Sequence, residues 1–252
     1  MKEKDRAKTD EDGPERNEEK IRQALNDRLQ EMRRLFDAAQ DPSTGSGQVR
    51  EDRQASENRY RQLLKMTDAI AATLEERDHY KKGHHCRVAD LARAIATEMK
   101  LDRSRIDGLR IAGMIHDIGT IFLSLELLNK PTRFTEAENH QVRIHVASGS
   151  EILKDIPFPW PVARMVLEHH ERLDGSGYPN GLMGKDLLME SRILTIADVV
   201  DAIASPRSYR PARGIDVALY DIKGYRGIRY EPAAVDACLR LFLDLGYKLL
   251  EE

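Results

Sequence analysis

Two adjacent pairs put metal-binding side chains side by side in the chain: His116-Asp117 in AGMIHDIGT and His169-His170 in LEHHERLDGSGYPNGL. Neutral imidazoles and carboxylates are ligands for divalent transition metals, and one aspartate with its two oxygens can bridge two ions. A centre of that kind does hydrolytic chemistry, because a bound ion makes water a nucleophile near neutral pH. Adjacent side chains on a helix diverge by about 100°, so His169 and His170 can face one ion only where a helix is ending. The DGSGYPNG that follows supplies such an ending. Five further histidines, His79, His84, His85, His140 and His145, are scattered. A scattered histidine on a helix is ordinarily a surface or satisfied core residue.

The elements that must position these groups read as helices. Leu25, Leu29, Met32 and Phe36 fall at helical steps within a first helix over about 17–40, and DPSTGSGQ (Asp41–Gln48) reads as a flexible break. A second helix over about 53–76 carries Tyr60, Leu63, Leu64, Ile70 and Leu74 on one face. Helical patterns then cover roughly 84–100, 103–117, 135–154, 161–170, 187–204, 214–223 and 232–245, with Pro161 and Pro232 at first-turn positions and Gly246 as a stop. No period-2 segment or internal repeat interrupts them, so the expected fold class is all-α. Residues 1–16 are charged, almost free of large apolar side chains, and expected to be disordered. The expected organisation is therefore a tail (1–16), an N-terminal helix and linker (17–52), and a catalytic domain with its leading helix (53–252).

Composition narrows the function. A net charge of −3 gives no general basic field, which argues against binding bulk nucleic acid. No apolar run approaches the ~18–20 residues of a membrane span, and the charged N-terminus is not a secretory signal. Two cysteines outside any Cys-x-x-Cys pair, Cys86 and Cys238, read as small buried residues of a reduced protein. The expected location is cytoplasmic.

Five blocks in order, from about Arg77 to Tyr247, resemble the HD-GYP domains, a branch of the HD phosphohydrolases that hydrolyses cyclic di-GMP. They are KKGHHCRVADLARAIA, AGMIHDIGT, VRIHVASG, LEHHERLDGSGYPNGL and TIADVVDAI. The resemblance implies an HD-type helical bundle with a bimetallic centre, preceded here by the N-terminal helices. In the first block it selects His84, three residues before Arg87-Val88, over His85. By the same resemblance His84, His116, Asp117 and Asp198 surround one ion. Asp117 bridges to a second ion held by His145, His169 and His170. Asp201 is expected to orient a ligand histidine from outside the ligand set. Tyr80 stands where trinuclear members carry a glutamate, which argues against a third ion. His79, His85 and His140 are left as surface residues. The donor set suits iron, manganese, zinc or nickel, and the resemblance favours iron or manganese.

The implied reaction is attack of a metal-bridging hydroxide on a phosphodiester of cyclic di-GMP, giving linear pGpG and further GMP. Asp117 and Thr120 are the candidate catalytic positions. Arg207 and Arg210 in SPRSYRPARG can grip phosphate or stack on guanine. Asp174 and Tyr178, in the glycine-rich loop, form a lip beside the site, and the Gly-Tyr-Pro loop is by resemblance a surface for partner signalling domains. Two departures stand out: Thr120 occupies the place of a lysine three residues after the aspartate, and Ser208 replaces a proline. Loss of one preorganised charge typically costs ~10²–10³ in rate, which predicts a slow enzyme. Two other readings compete. One is a weakly active or inactive module that binds the nucleotide or docks a partner; the other is a phosphodiesterase for a related cyclic dinucleotide such as cyclic GMP-AMP. The apolar seams of the first two helices are expected to mediate self-association as a homodimer.

Overall fold

The computed structural model describes residues 14–37, 49–78 and 81–250. The expected disorder of 1–16 falls almost wholly outside them, as do the Asp41–Gln48 break, His79 and Tyr80. Among the described residues the chain forms ten α-helices and no strand. They are α1 (Pro14–Asp37), α2 (Val49–Glu75), α3 (His84–Glu98), α4 (Arg103–Ile115), α5 (Leu125–Leu128), α6 (Glu136–Leu153), α7 (Val162–Glu168), α8 (Met189–Ala204), α9 (Ile215–Gly224) and α10 (Pro232–Leu243). Short 3₁₀ turns cover Ile118–Phe122 and Gly184–Asp186. No helix is long and apolar enough to cross a membrane among the described residues.

The helix limits follow local chemistry. Thr135 and Glu138 close a reciprocal capping box at the start of α6, each accepting from the other's backbone N–H. Pro232 opens α10 at its first position. Gly83 precedes α3 with φ of 65°, a left-handed conformation that favours glycine, and its N–H donates to Glu75 Oε2 at 2.9 Å.

Burial then assembles the bundle. Helix α3 packs on α4 and α8, α6 on α7 and the 118–122 turn, and α8 on α9. Leu91, Ile95, Leu109, Ile111, Ile115, Ile193 and Leu194 are fully buried at the centre. Gly119 allows the closest approach. A Cβ there would lie 1.9 Å from the His145 carbonyl oxygen and 2.6 Å from Gly149 N, so only glycine lets the 118–122 turn rest on the α6 backbone.

Three expectations need correction. The α1 seam is covered within the chain: Ile21, Leu25 and Met32 are buried in the same apolar cluster as Leu63, Ile70 and Leu74 of α2 and the core of α3, α4 and α8. Among its described residues Leu25 and Met32 are therefore committed to packing within the chain, and Leu29 is partly buried against the same cluster. His85 is buried, at 1% exposure, with Nδ1 3.0 Å from Glu75 Oε1. Its neighbour Cys86 is exposed, while Cys238 is buried as expected.

Arg77 joins the N-terminal helices to the bundle. Buried at 2% exposure, its guanidinium donates at 2.8 Å to Glu18 Oε1, to the Thr120 carbonyl and to the Leu123 carbonyl. Replacing it takes the charged donor from the buried Leu123 carbonyl and leaves the Thr120 carbonyl with Leu123 N at 3.0 Å and Glu18 with Arg22 at 3.2 Å. Arg77→Met is expected to lower stability by about 2–4 kcal/mol, read as a fall in the urea midpoint. An unchanged midpoint would show the buried guanidinium to be energetically idle.

Candidate metal centre

The seven side chains picked out in the sequence converge. Two groups of ligand atoms stand close enough to hold an ion: Asp117, His145, His169 and His170 in one, and His84, His116 and Asp198 in the other. Asp117 lies between them. Its Oδ2 is 3.7 Å from His84 Nε2 and 3.5 Å from His116 Nε2, while its Oδ1 is 3.2 Å from His145 Nε2 and 4.0 Å from His169 Nε2. Asp198 also spans the groups, with Oδ1 3.6 Å from His84 Nε2 and Oδ2 3.9 Å from His170 Nδ1.

Helix ends set the imidazole orientations. Helix α4 stops at Ile115 and α7 at Glu168, so His116 and His169 are the C-caps. Carbonyls in a last turn lack helical partners. His116 Nδ1 donates to the Gly113 carbonyl and His169 Nδ1 to the Val166 carbonyl, both at 2.7 Å. His145, inside α6, makes the same 2.7 Å bond to Val142. A carbonyl only accepts, so in each ring Nδ1 carries the proton and Nε2 carries the lone pair. His84 Nδ1 lies 2.6 Å from Asp201 Oδ2, and Arg87 Nε donates to Asp201 Oδ1 at 2.6 Å. Burial alone would raise the Asp201 carboxyl, but the His84 and Arg87 contacts hold it well below the usual range.

Burial also keeps the rings neutral. It pushes His84 down to about 4 and His169 to about 3, and lowers His116 and His170 as well. The two aspartates stay ionised although burial opposes it: Lys81 and His116 draw Asp117 well down, and His116 and His84 lower Asp198. The Nε2 atoms of His84, His116, His145 and His169 are buried with no hydrogen-bond partner among the described residues. Buried polar atoms are normally paired, and leaving one unpaired is costly. Four lone pairs aimed at two carboxylates are satisfied by cations, so the residues fit a divalent metal site.

The centre opens into a cleft of about 320 Å³ lined by Lys81, Thr120, Phe134, Tyr178, Arg207 and Tyr209 among others. Thr120 lies on its wall, and Arg207 faces it half-buried. Arg210 lines it too, but its guanidinium donates to the carbonyls of Ser205 and Pro211 at 3.2 and 3.0 Å and to that of Ala202. The Tyr178 ring stacks on His170 at 4.8 Å with Arg143 over its other face. Asp174 is exposed and outside the cleft lining. Its carboxylate accepts from Ser176 N and Oγ at 3.0 and 2.6 Å and shapes its own loop.

Sequence reasoning missed three residues. Lys81 pairs with Asp117 Oδ2 inside the site. Glu171, 1% exposed, accepts from the N–H groups of Asn180 and Leu182 and fixes the glycine-rich loop. His85 has its own carboxylate partner and a buried, unpartnered Nε2. Only Glu171 had a signal, a lone acid directly after the two histidines.

Comparison with known proteins agrees with this geometry. A family described as "HD domain" matches residues 60–234. The chain is 36% identical over 186 residues to the cyclic di-GMP phosphodiesterase response regulator RpfG of Xanthomonas campestris pv. campestris, covering 73% of this chain and 48% of that protein. It is 39% identical over 152 residues to 3'3'-cGAMP-specific phosphodiesterase 3 of Vibrio cholerae, covering 60% of this chain and 33% of that one. The chain thus spans half or less of these curated relatives. Among solved structures, the HDG"Y"P protein Bd1817 from Bdellovibrio bacteriovorus shares the fold, with a TM-score of 0.58 and 15% identity over 93% of this chain and 74% of that one.

Two outcomes follow from the geometry. Asp201→Asn removes the anion that orients His84, and such changes typically cost ~10–100-fold in metal affinity. Titration with Mn²⁺ or Zn²⁺ reads this, with far-ultraviolet circular dichroism confirming the fold, and equal affinity would overturn the orienting role. In the metal-free protein the unfolded chain, with histidines near 6.5, binds more protons than folded rings at about 4 and about 3. Stability is therefore lost as pH falls from about 6.5 toward 4, and denaturant midpoints across that range check the sign.

Proposed function

The chain belongs to the HD domain family, and on that premise we propose that it is a metal-dependent phosphodiesterase of cyclic dinucleotides of the HD-GYP type. Cyclic di-GMP is the proposed substrate, with linear pGpG, and GMP after a second cut, as products. The observation that carries this reading is a pair of ligand groups at the base of a cleft, one containing Asp117 and the other with its two histidines within 3.7 Å of the second Asp117 oxygen. In it His84, His116, Asp117 and Asp198 hold one divalent ion, and Asp117, His145, His169 and His170 hold the other. When bound, two such ions lower the pKa of water and neutralise phosphoryl charge.

The remaining work falls to side chains. Asp117 keeps its two oxygens on the two groups because His145 and His169 flank one oxygen and His84 and His116 the other. Arg207 attracts a phosphate from the rim, and Thr120 offers a hydroxyl from the wall. Phe134 and Tyr209, edge to face at 6.3 Å near the mouth, offer apolar surface to a base. Arg210 supports this wall through its carbonyl contacts and does not reach for substrate. Iron or manganese is the proposed occupant, and two free thiols support a reducing cytoplasm as its place.

A second substrate has its own support: the relative at 39% identity is named for 3'3'-cGAMP. Cyclic GMP-AMP and cyclic di-GMP share the phosphodiester ring that the centre would cleave and differ in one base at the mouth.

Anaerobically purified protein is expected to hold two transition-metal ions per chain and to linearise cyclic di-GMP, seen by chromatography of products. Asp117→Ala is expected to lose most of the metal and at least ~10²–10³ of the rate. Full metal content with unchanged turnover in that variant would refute the shared-carboxylate centre. Faster turnover of cyclic GMP-AMP would move the substrate assignment to it.

A further inference from the structure

The cleft is lined by three basic side chains outside the histidines, Lys81, Arg207 and Arg210, and they are placed for different tasks. Arg210 is committed to three carbonyls of its own loop. Arg207 stands on the rim loop after α8. Lys81 comes from the turn between α2 and α3, only 17% exposed, with its ammonium on Asp117 Oδ2. That oxygen also faces His84 Nε2 and His116 Nε2, so it is the atom that the proposed first metal position uses.

An ammonium and a divalent cation cannot both rest against one carboxylate oxygen without strong like-charge repulsion. Once Oδ2 is taken, the ammonium is left inside a mostly buried site, where an unpaired charge is costly. Its four-carbon stem is flexible and its charge is a compact point donor. The neighbouring cleft has about 320 Å³ of room, and Thr120 brings no charge to the wall. The anion that enters this space under the phosphodiesterase reading is a phosphodiester.

We propose that Lys81 is a substrate-phosphate ligand, paired with Asp117 while the metal positions are open and with the phosphodiester once they are filled. The inference rests on the phosphodiesterase reading and adds a residue to it. It places a positive charge at the scissile group from the α2–α3 turn, so the slow turnover expected of Thr120 is offset. It also makes Lys81 a competitor of the first ion, so removing the ammonium leaves metal binding intact or tighter.

The test compares four proteins: wild type, Lys81→Gln, Lys81→Arg, and the exchange Lys81→Thr with Thr120→Lys, which returns one ammonium to the cleft from the other wall. Metal content, kcat and KM are measured with whichever cyclic dinucleotide the wild type cleaves. Lys81→Gln is expected to keep its metal and lose ~10–100-fold in kcat/KM, in the range for one charged contact. Lys81→Arg and the exchange variant are expected to recover to within about tenfold of wild type. A Lys81→Gln protein within twofold of wild-type kcat/KM at equal metal overturns the proposal. So does a loss of metal that accounts for the lost rate, since Lys81 would then support the metal site. Should the wild type cleave none of the nucleotides, the phosphodiesterase reading fails separately. Calorimetric Kd values for cyclic di-GMP then decide on Lys81: about tenfold weaker binding by Lys81→Gln upholds the phosphate contact, and equal binding removes it.

Discussion

A neutral imidazole has one lone pair for a metal and one N–H, and anchoring the N–H fixes where the lone pair points; for three histidines this chain does so with backbone carbonyls. His116 and His169 sit where α4 and α7 end, and the carbonyl three residues back accepts each Nδ1–H at 2.7 Å. The helix termini thus do two tasks at once. They leave carbonyls without helical partners, and they place the imidazoles that satisfy them. His145 repeats the contact inside α6, where Gly119 brings the turn after Asp117 onto the α6 backbone. If α4 or α7 ran one turn longer or shorter, the lone pair of His116 or His169 would leave the common point.

The same constraint fixes the electrostatics. Two ionised aspartates and several neutral imidazoles buried together make a centre with negative charge and too few donors of its own. Lys81 supplies one positive charge at Asp117. On the far side of His84 the balance is local, because Asp201 is held between the imidazole and the Arg87 guanidinium. Asp201 is therefore committed by its contacts and Asp198, without such a partner, is the carboxylate left to face the site. Contacts distinguish two buried acids three residues apart on one helix that look alike in the sequence.

The all-α architecture and the His116-Asp117 and His169-His170 pairs were legible because they rest on local signals, whereas His84, His145 and Asp198 came from the family resemblance. Helix periodicity repeats every few residues, and the His-Asp and His-His pairs are contiguous. The helix expected over 161–170 ends at Glu168, just where the paired histidines need it to stop. Less legible were features decided by distant packing. His85 looks like a surface neighbour of a ligand, but Glu75 from α2 covers it. Arg210 has the charge to bind phosphate, yet its loop turns the guanidinium onto its own carbonyls. Lys81 opens the block KKGHHCRVADLARAIA, but its contact with Asp117 is visible only when the α2–α3 turn is laid against the centre. The α1 seam has the pattern of an association surface, and the pattern cannot say whether the partner is a second chain or α2.

The covered seam changes what the N-terminal helices do. Arg28 of α1 donates to the Ala69 carbonyl at 2.5 Å and also contacts Thr73, so polar contacts reinforce the apolar packing of α1 on α2. Arg77, just beyond α2, then carries the connection into the site. Its Nη2 donates to both Glu18 of α1 and the Leu123 carbonyl, and its Nη1 donates to the Thr120 carbonyl. The Thr120 carbonyl lies within the 3₁₀ turn that follows Asp117, and the Leu123 carbonyl lies just past its end. Displacing α1 would remove Glu18 from a guanidinium that is almost fully buried, where an uncompensated charge is costly. The turn beside Asp117 would then have to move or lose its donor. The position of α1 and the turn beside Asp117 are therefore tied through one buried guanidinium, whose bond to the Thr120 carbonyl lies three residues from that carboxylate.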